Sequence, residues 1–361
     1  MPSRCLSLLV LVGVALTGER AFAWGERGHD LVARVAARLI IERSPRGDSY
    51  AAVFEQKEHM LGHLANVPDI VWRNVGPEIE AQNAPTHYVD LEFFDLKPAF
   101  ATAPKTKAEA EARIISLCAK PPAGYLCPVQ PGEKPRAELA GIAPFRIEQL
   151  FDLMAAALAK AKGASSKDRI AAVDSALLYG GVMAHFVGDL GNPWHGTRDY
   201  NGFETGQGGI HKYFEEELVN ALPLSLDEDV IAEALRNKPF QHVLEQMPAG
   251  ERATRGKDPL SVAWALTFDS AKHLDESRAL DKKVALLKPS SMEKGLRIKA
   301  ERRDPRDVRG EFRELLIDRL ATAADTLATL WLAAYEKAGK PSLKGFASYH
   351  YDLAPAFIPA P

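Results

Sequence analysis

Residues 184–217 read AHFVGDLGNPWHGTRDYNGFETGQGGIHKYFEEE and hold three of the chain's ten histidines, His185, His195 and His211, each near a carboxylate. His185 and Asp189 stand four apart. On a helix that spacing puts an imidazole and a carboxylate on one face, one turn apart. His211 and Glu215 repeat the arrangement. Between them, Gly191-Asn192-Pro193 ends the first helix and His195 follows at once. A neutral imidazole and a carboxylate at this spacing reach one ion without distorting the helix, and histidine with aspartate or glutamate suits zinc. One such pair is often only a surface ion pair. Two pairs with a histidine between them, within one helix-loop-helix, point to a metal centre whose other ligands must come from the rest of the chain.

The chain begins with a secretory signal over residues 1–23. Arg4 supplies the positive start, Leu6 to Leu16 the apolar core, and Ala21-Phe22-Ala23 a cleavage site. The apolar core is too short to span a membrane. A secreted or periplasmic location is expected. Cleavage would make Trp24 the first residue, with an α-amino group of pKa about 7.7–8.0 that a metal can deprotonate. His29 lies in WGERGHDLVARVAARLI, where Leu31, Val32, Val35, Ala36 and Leu39 keep helical spacing.

Alanine-rich amphipathic segments dominate the remainder and convincing strand alternations are few, so an all-α fold is expected. Residues 24–340 are read as one domain and 341–361 as a loose tail. The formal net charge of −3 argues against broad electrostatic capture of nucleic acid. It leaves room for a cleft in which metals bind phosphates. Cys118 and Cys127, nine apart across Pro121-Pro122-Ala123-Gly124, are expected to form a disulfide in a secreted chain.

Helices are predicted over 26–42, 50–65, 108–117, from Pro144 to 162, 169–190, from His211 to 220, and 312–337. Residues 224–310 read as helical fragments in charged loops with no site. Asp69 follows Pro68 at a helix start, where an acid also serves as an N-terminal charge. His87, Tyr88 and Asp90 lie in NAPTHYVDLE, a loop entering an extended piece, where a histidine by itself is ordinary polar surface. His59 and His63 are also four apart, but no carboxylate shares their spacing, so they read as surface or core residues.

Taken together, Trp24 as a new N-terminus, WGERGH, HYVD, AHFVGDLGNPWH and HKYFE resemble the secreted trinuclear zinc phosphoesterases. That superfamily includes the S-one/P-one single-strand-specific nucleases and the zinc-dependent phospholipases C. The resemblance implies a phospholipase C/nuclease-like multi-helix single domain with a zinc cluster in a cleft. It implies three zinc ions: one on Asp69, His87, His185 and Asp189; one on the Trp24 amino nitrogen and carbonyl oxygen, His29 and Asp189; a third on His195, His211 and Glu215. Asp90 would hydrogen-bond near the metal pair, Tyr88 would stack a base, and Arg73 would contact phosphate. Asp199-Tyr200-Asn201-Gly202 approximates the nucleases' substrate loop, which makes Asn201 a substrate contact.

Zinc lowers the pKa of bound water to about 7, so the expected chemistry is in-line attack of a metal-bound hydroxide on a phosphodiester, with no side-chain nucleophile. The Trp24–His29 spacing and HYVD are nuclease-like, whereas Glu215 and the short 195–211 loop are phospholipase-like. A phospholipase needs an exposed apolar surface, and none is legible. The expected substrate is therefore single-stranded DNA or RNA. A phospholipid head group is the alternative, and a non-catalytic zinc-binding protein the third reading. No stable protein partner is implied and a monomer is expected.

Overall fold

The computed structural model describes residues 24–95, 99–252 and 257–346; the predicted signal segment and residues 347–361 lie outside this range. Its framework is helical: α1 (Glu26–Arg43), α2 (Ser49–Ala65), α3 (Ala143–Lys160), α4 (Ser166–Gly191), α5 (Pro259–Ala271) and α6 (Pro305–Lys337) share one core, with shorter helices between them. Local chemistry sets the starts. Asp48 caps α2 by accepting from Tyr50 N and Ala51 N, both at 2.9 Å, and Ser165 caps α4 by accepting from Asp168 N at 3.2 Å. Pro144 and Pro305 sit in the first turns of α3 and α6, where their missing N–H costs nothing.

The centre of the fold is α4. Its second half, Gly180 to Gly191, is buried at every residue. It packs against α1, α2, α3, α5 and α6. This explains why α4 is long and apolar enough to cross a membrane by length and composition: a helix buried on all sides is apolar all round.

The predicted helices are present, most with ends shifted by one to three residues. Three features differ from the sequence reading. First, residues 286–302 carry four short strands, β1 (Leu286–Lys288), β2 (Ser291–Glu293), β3 (Leu296–Ile298) and β4 (Glu301–Arg302). They form two antiparallel pairs, β1 with β4 and β2 with β3. Each strand is too short to show an alternating pattern. Second, α6 begins at Pro305, seven residues before the predicted start, on its Asp304 cap. Third, the start of the tail is held in place. Leu343 and Phe346 are buried, Leu343 N donates to Ser49 Oγ at 3.1 Å, and Lys57 lies over the Phe346 ring. The expected Cys118–Cys127 disulfide is present.

Candidate metal centre

Helix α4 carries His185 and Asp189 on one face, with His185 Nε2 3.4 Å from Asp189 Oδ2. Helix α1 lays the His29 ring on His185, centroids 3.9 Å apart, and brings His29 Nε2 to 3.4 Å from Asp189 Oδ1. This approach needs Gly188. A Cβ there would lie 2.9 Å from His29 Nδ1.

Asp69 comes from a π-turn, Pro68–Trp72, directly after α2. Its Oδ1 lies 3.8 Å from His87 Nδ1 and 3.9 Å from His185 Nε2. His87 stands in a non-helical segment anchored by backbone bonds to the start of α3: Ile142 N to Pro85 O at 2.7 Å, Ala143 N to Tyr88 O at 3.2 Å, and Asp90 N to Ala140 O at 2.7 Å. Gly141 makes this contact possible. Its φ is +81°, and a Cβ would stand 2.2 Å from the Tyr88 carbonyl oxygen. His87 Nδ1 is thereby set 3.1 Å from Asp189 Oδ2.

The third group sits where α4 ends. His195 Nε2 lies 3.4 Å and His211 Nε2 3.1 Å from Glu215 Oε2. Glu215, like Asp69, is on a π-turn, Tyr213–Glu217, where a regular helix was expected. Such turns re-aim side chains and recur at functional sites.

The described residues therefore contain three buried acid–histidine groups that could hold a metal ion: His29–His185–Asp189, Asp69–His87–His185 and His195–His211–Glu215. Within each, the ligand atoms lie within 4.8 Å of one another. The first two share His185, yet one imidazole nitrogen holds one ion. Asp189 resolves the overlap because Oδ1 faces His29 while Oδ2 faces His87 and His185.

Outer contacts aim the ligands. His185 Nδ1 donates to Ala65 O and His195 Nδ1 to His87 O, both at 2.7 Å, which turns each Nε2 inward toward the other ligand candidates. Asn192 Nδ2 donates to Glu215 Oε2 at 3.1 Å. Buried polar atoms without a hydrogen-bond partner include both His29 ring nitrogens, His87 Nε2, Asp189 Oδ1 and Glu215 Oε1. Such atoms are costly unless something binds them, and acids and imidazoles converging in this way fit divalent cations.

Burial holds His29, His87 and His185 well below the ordinary imidazole pKa, as does the positive charge of Arg73. They are neutral, as ligation requires. Burial, with the charges of Asp69 and Glu215, holds Asp189 well above the carboxylate range. Burial pushes Glu215 up to about 8, against the opposing effect of His195. At pH 7 metal-free Glu215 therefore carries a proton that a cation must displace. Metal uptake at pH 7 should release protons, seen as a calorimetric heat that changes with the ionisation enthalpy of the buffer. A heat independent of buffer would contradict this.

The remaining predicted residues are placed as follows. Trp24 is buried with its indole N–H donating to Gly188 O at 2.6 Å, beside Asp189. Arg73, expected on phosphate, pairs with a ligand candidate, its Nε 2.6 Å from Asp69 Oδ1. Asp90 is buried and held well above the carboxylate range by burial and by Glu92; it belongs to none of the three groups. Asn201, expected on substrate, closes its own loop, its Oδ1 accepting from Gly209 N at 3.0 Å. Tyr88 is half-buried, packed on Gly141. His59 and His63 are exposed and belong to none of these groups.

Sequence reasoning missed three features. Tyr200 is 39% exposed, its ring edge-on to His211 at 5.5 Å. Asn192 was read only as a helix stop. An apolar ridge, Ile70, Val71, Val75 and Ile79, is 40% to 61% exposed on and after the Asp69 turn, which corrects the expectation of no such surface. The ridge was legible as an apolar run after Pro68, but its exposure depends on packing. No family model matches the chain, and no curated protein does.

Proposed function

We propose that the protein is a secreted or periplasmic zinc-dependent phosphodiesterase acting on single-stranded nucleic acid. One observation carries the reading: three buried acid–histidine groups adjoin, two of them divided by the two oxygens of Asp189. A donor set of imidazoles and carboxylates without thiolate suits zinc held for chemistry. Zinc ions bound there would supply Lewis acidity toward phosphoryl oxygens and a water of lowered pKa. The chain's own part is to keep its imidazoles neutral, to aim them through Ala65 O and His87 O, and to hold Glu215 with Asn192. A chain starting at Trp24 would add its amino nitrogen on the His29 side. Tyr200 offers an aromatic face beside His211, and stacking one base on such a face contributes about 1–3 kcal/mol. The motif resemblance to the S-one/P-one nucleases points the same way.

The apolar ridge beside Asp69 favours a second reading, phospholipase C activity on a lipid surface. Offering single-stranded DNA, RNA, phosphatidylcholine and bis-nitrophenyl phosphate side by side separates these readings. The expected result is cleavage of the single strands and of the nitrophenyl diester, lost to a chelator and restored by zinc. Rapid phosphatidylcholine hydrolysis with the strands intact would establish the second reading. No turnover of any diester would leave a zinc-binding protein without catalysis.

A further inference from the structure

A groove of about 1030 Å³, lined among others by Trp72, Thr86, Lys105, Arg136, Phe145 and Arg146, adjoins the segment that carries His87. Its inner wall includes Pro85 and Thr86, the two residues before His87. We infer that this groove is the track for the part of a nucleic-acid strand that flanks the scissile phosphodiester, an inference resting on the function proposed above.

The charge of the groove fits a polyanion. Four basic side chains, completed by Lys107, face two carboxylates, Glu138 and Glu148, in a chain whose formal net charge is −3. Only the Lys107–Glu138 pair, at 3.6 Å, joins groove charges of opposite sign directly. Lys105 and Arg136 are exposed.

Arg146 links the groove to the centre. Its guanidinium lies 5.6 Å from the Trp72 ring and 5.7 Å from the Phe186 ring, and Phe186 packs on His87 at 5.5 Å. Arg146 Nη1 donates to Gln149 Oε1 at 2.6 Å, while its buried Nε has no hydrogen-bond partner. A half-buried guanidinium with a donor to spare is a site for a phosphate oxygen. Basic and aromatic side chains side by side suit a single strand, whose phosphates pair with the cations while its splayed bases meet the rings.

The test is polarisation binding of a fluorescein-labelled phosphorothioate oligothymidylate of about twelve nucleotides, within the site sizes of single-strand binders. It is run across a salt series on the zinc-loaded protein, with Lys105→Gln and Arg146→Gln. Each variant should weaken binding about tenfold at low salt. Each should also reduce the slope of log affinity against log salt by about 0.7. Lys105 is exposed, so that variant keeps the test valid if Arg146→Gln folds poorly. No binding by the parent, an unchanged slope in both variants, or uptake on phosphatidylcholine vesicles in preference to the oligonucleotide would overturn the inference. The two readings fail separately. Hydrolysis of single strands with the salt slope unchanged in both variants removes the groove alone, and groove-dependent binding without hydrolysis removes the catalytic reading alone.

Discussion

Asp189→Asn should leave one bound metal ion where the parent is expected to bind three, and should lower the proposed phosphodiester hydrolysis by roughly 10²–10³-fold. The substitution keeps shape and volume but replaces two anionic oxygens by a neutral amide. The parent's Oδ1 and Oδ2 face His29 on one side and His87 with His185 on the other, so ions bound on both sides would lose a ligand together. Glu215→Gln should remove only the ion at His195 and His211. Metal counting by mass spectrometry, with circular dichroism to confirm folding, reads both results. Loss of the same single ion from both variants would refute the assignment. A second readout has the opposite sign. Burial first, and then the charge of Asp69, opposes ionisation of Asp189, so metal-free Asp189→Asn should unfold at a higher temperature than the metal-free parent.

Arg302→Ala should cost about 3–5 kcal/mol of stability, the range for one partner removed from a buried ion pair. Asp281 is fully buried and receives Arg302 Nε at 2.7 Å and Nη2 at 3.1 Å. Arg302 also donates to Gly208 O at 3.2 Å and Gln207 O at 2.6 Å, while Gln207 Nε2 donates to Asp281 Oδ2 at 2.7 Å. These bonds strap β4 and the helical turn at Asp281 over the glycine-rich loop that leads into His211. The variant should therefore also bind the third ion more weakly than the other two. Urea denaturation and metal counting measure the two effects. A loss below about 1 kcal/mol, the value of an ordinary exposed pair, would show that Asp281 is not held as described.

This strap shows where sequence reasoning stopped. Residues 224–310 had no legible site because Asp281 and Arg302 are ordinary charges until folding buries them together against Gln207. Arg73 was read as a phosphate contact because its charge is legible; its pairing with Asp69, four residues earlier, was legible at the same helical spacing and was passed over. Asn201 likewise looked available until its loop closed on Gly209.

The sequence by itself determined the helical class, the disulfide, and the identity of the acid and histidine candidates. Periodicity carries the class, the expected secretion carries the disulfide, and spacing within one helix carries the pairs His185 with Asp189 and His211 with Glu215; His29, Asp69 and His87 were candidates only through the motif resemblance. Tertiary structure alone decided that His29, Asp69 and His87 meet the α4 face. Their approach depends on Gly188 and Gly141 leaving room and on the start of α3 pinning the His87 segment. It also decided which surfaces stay open, the apolar ridge and the basic groove, because exposure belongs to the packed chain and to no residue alone.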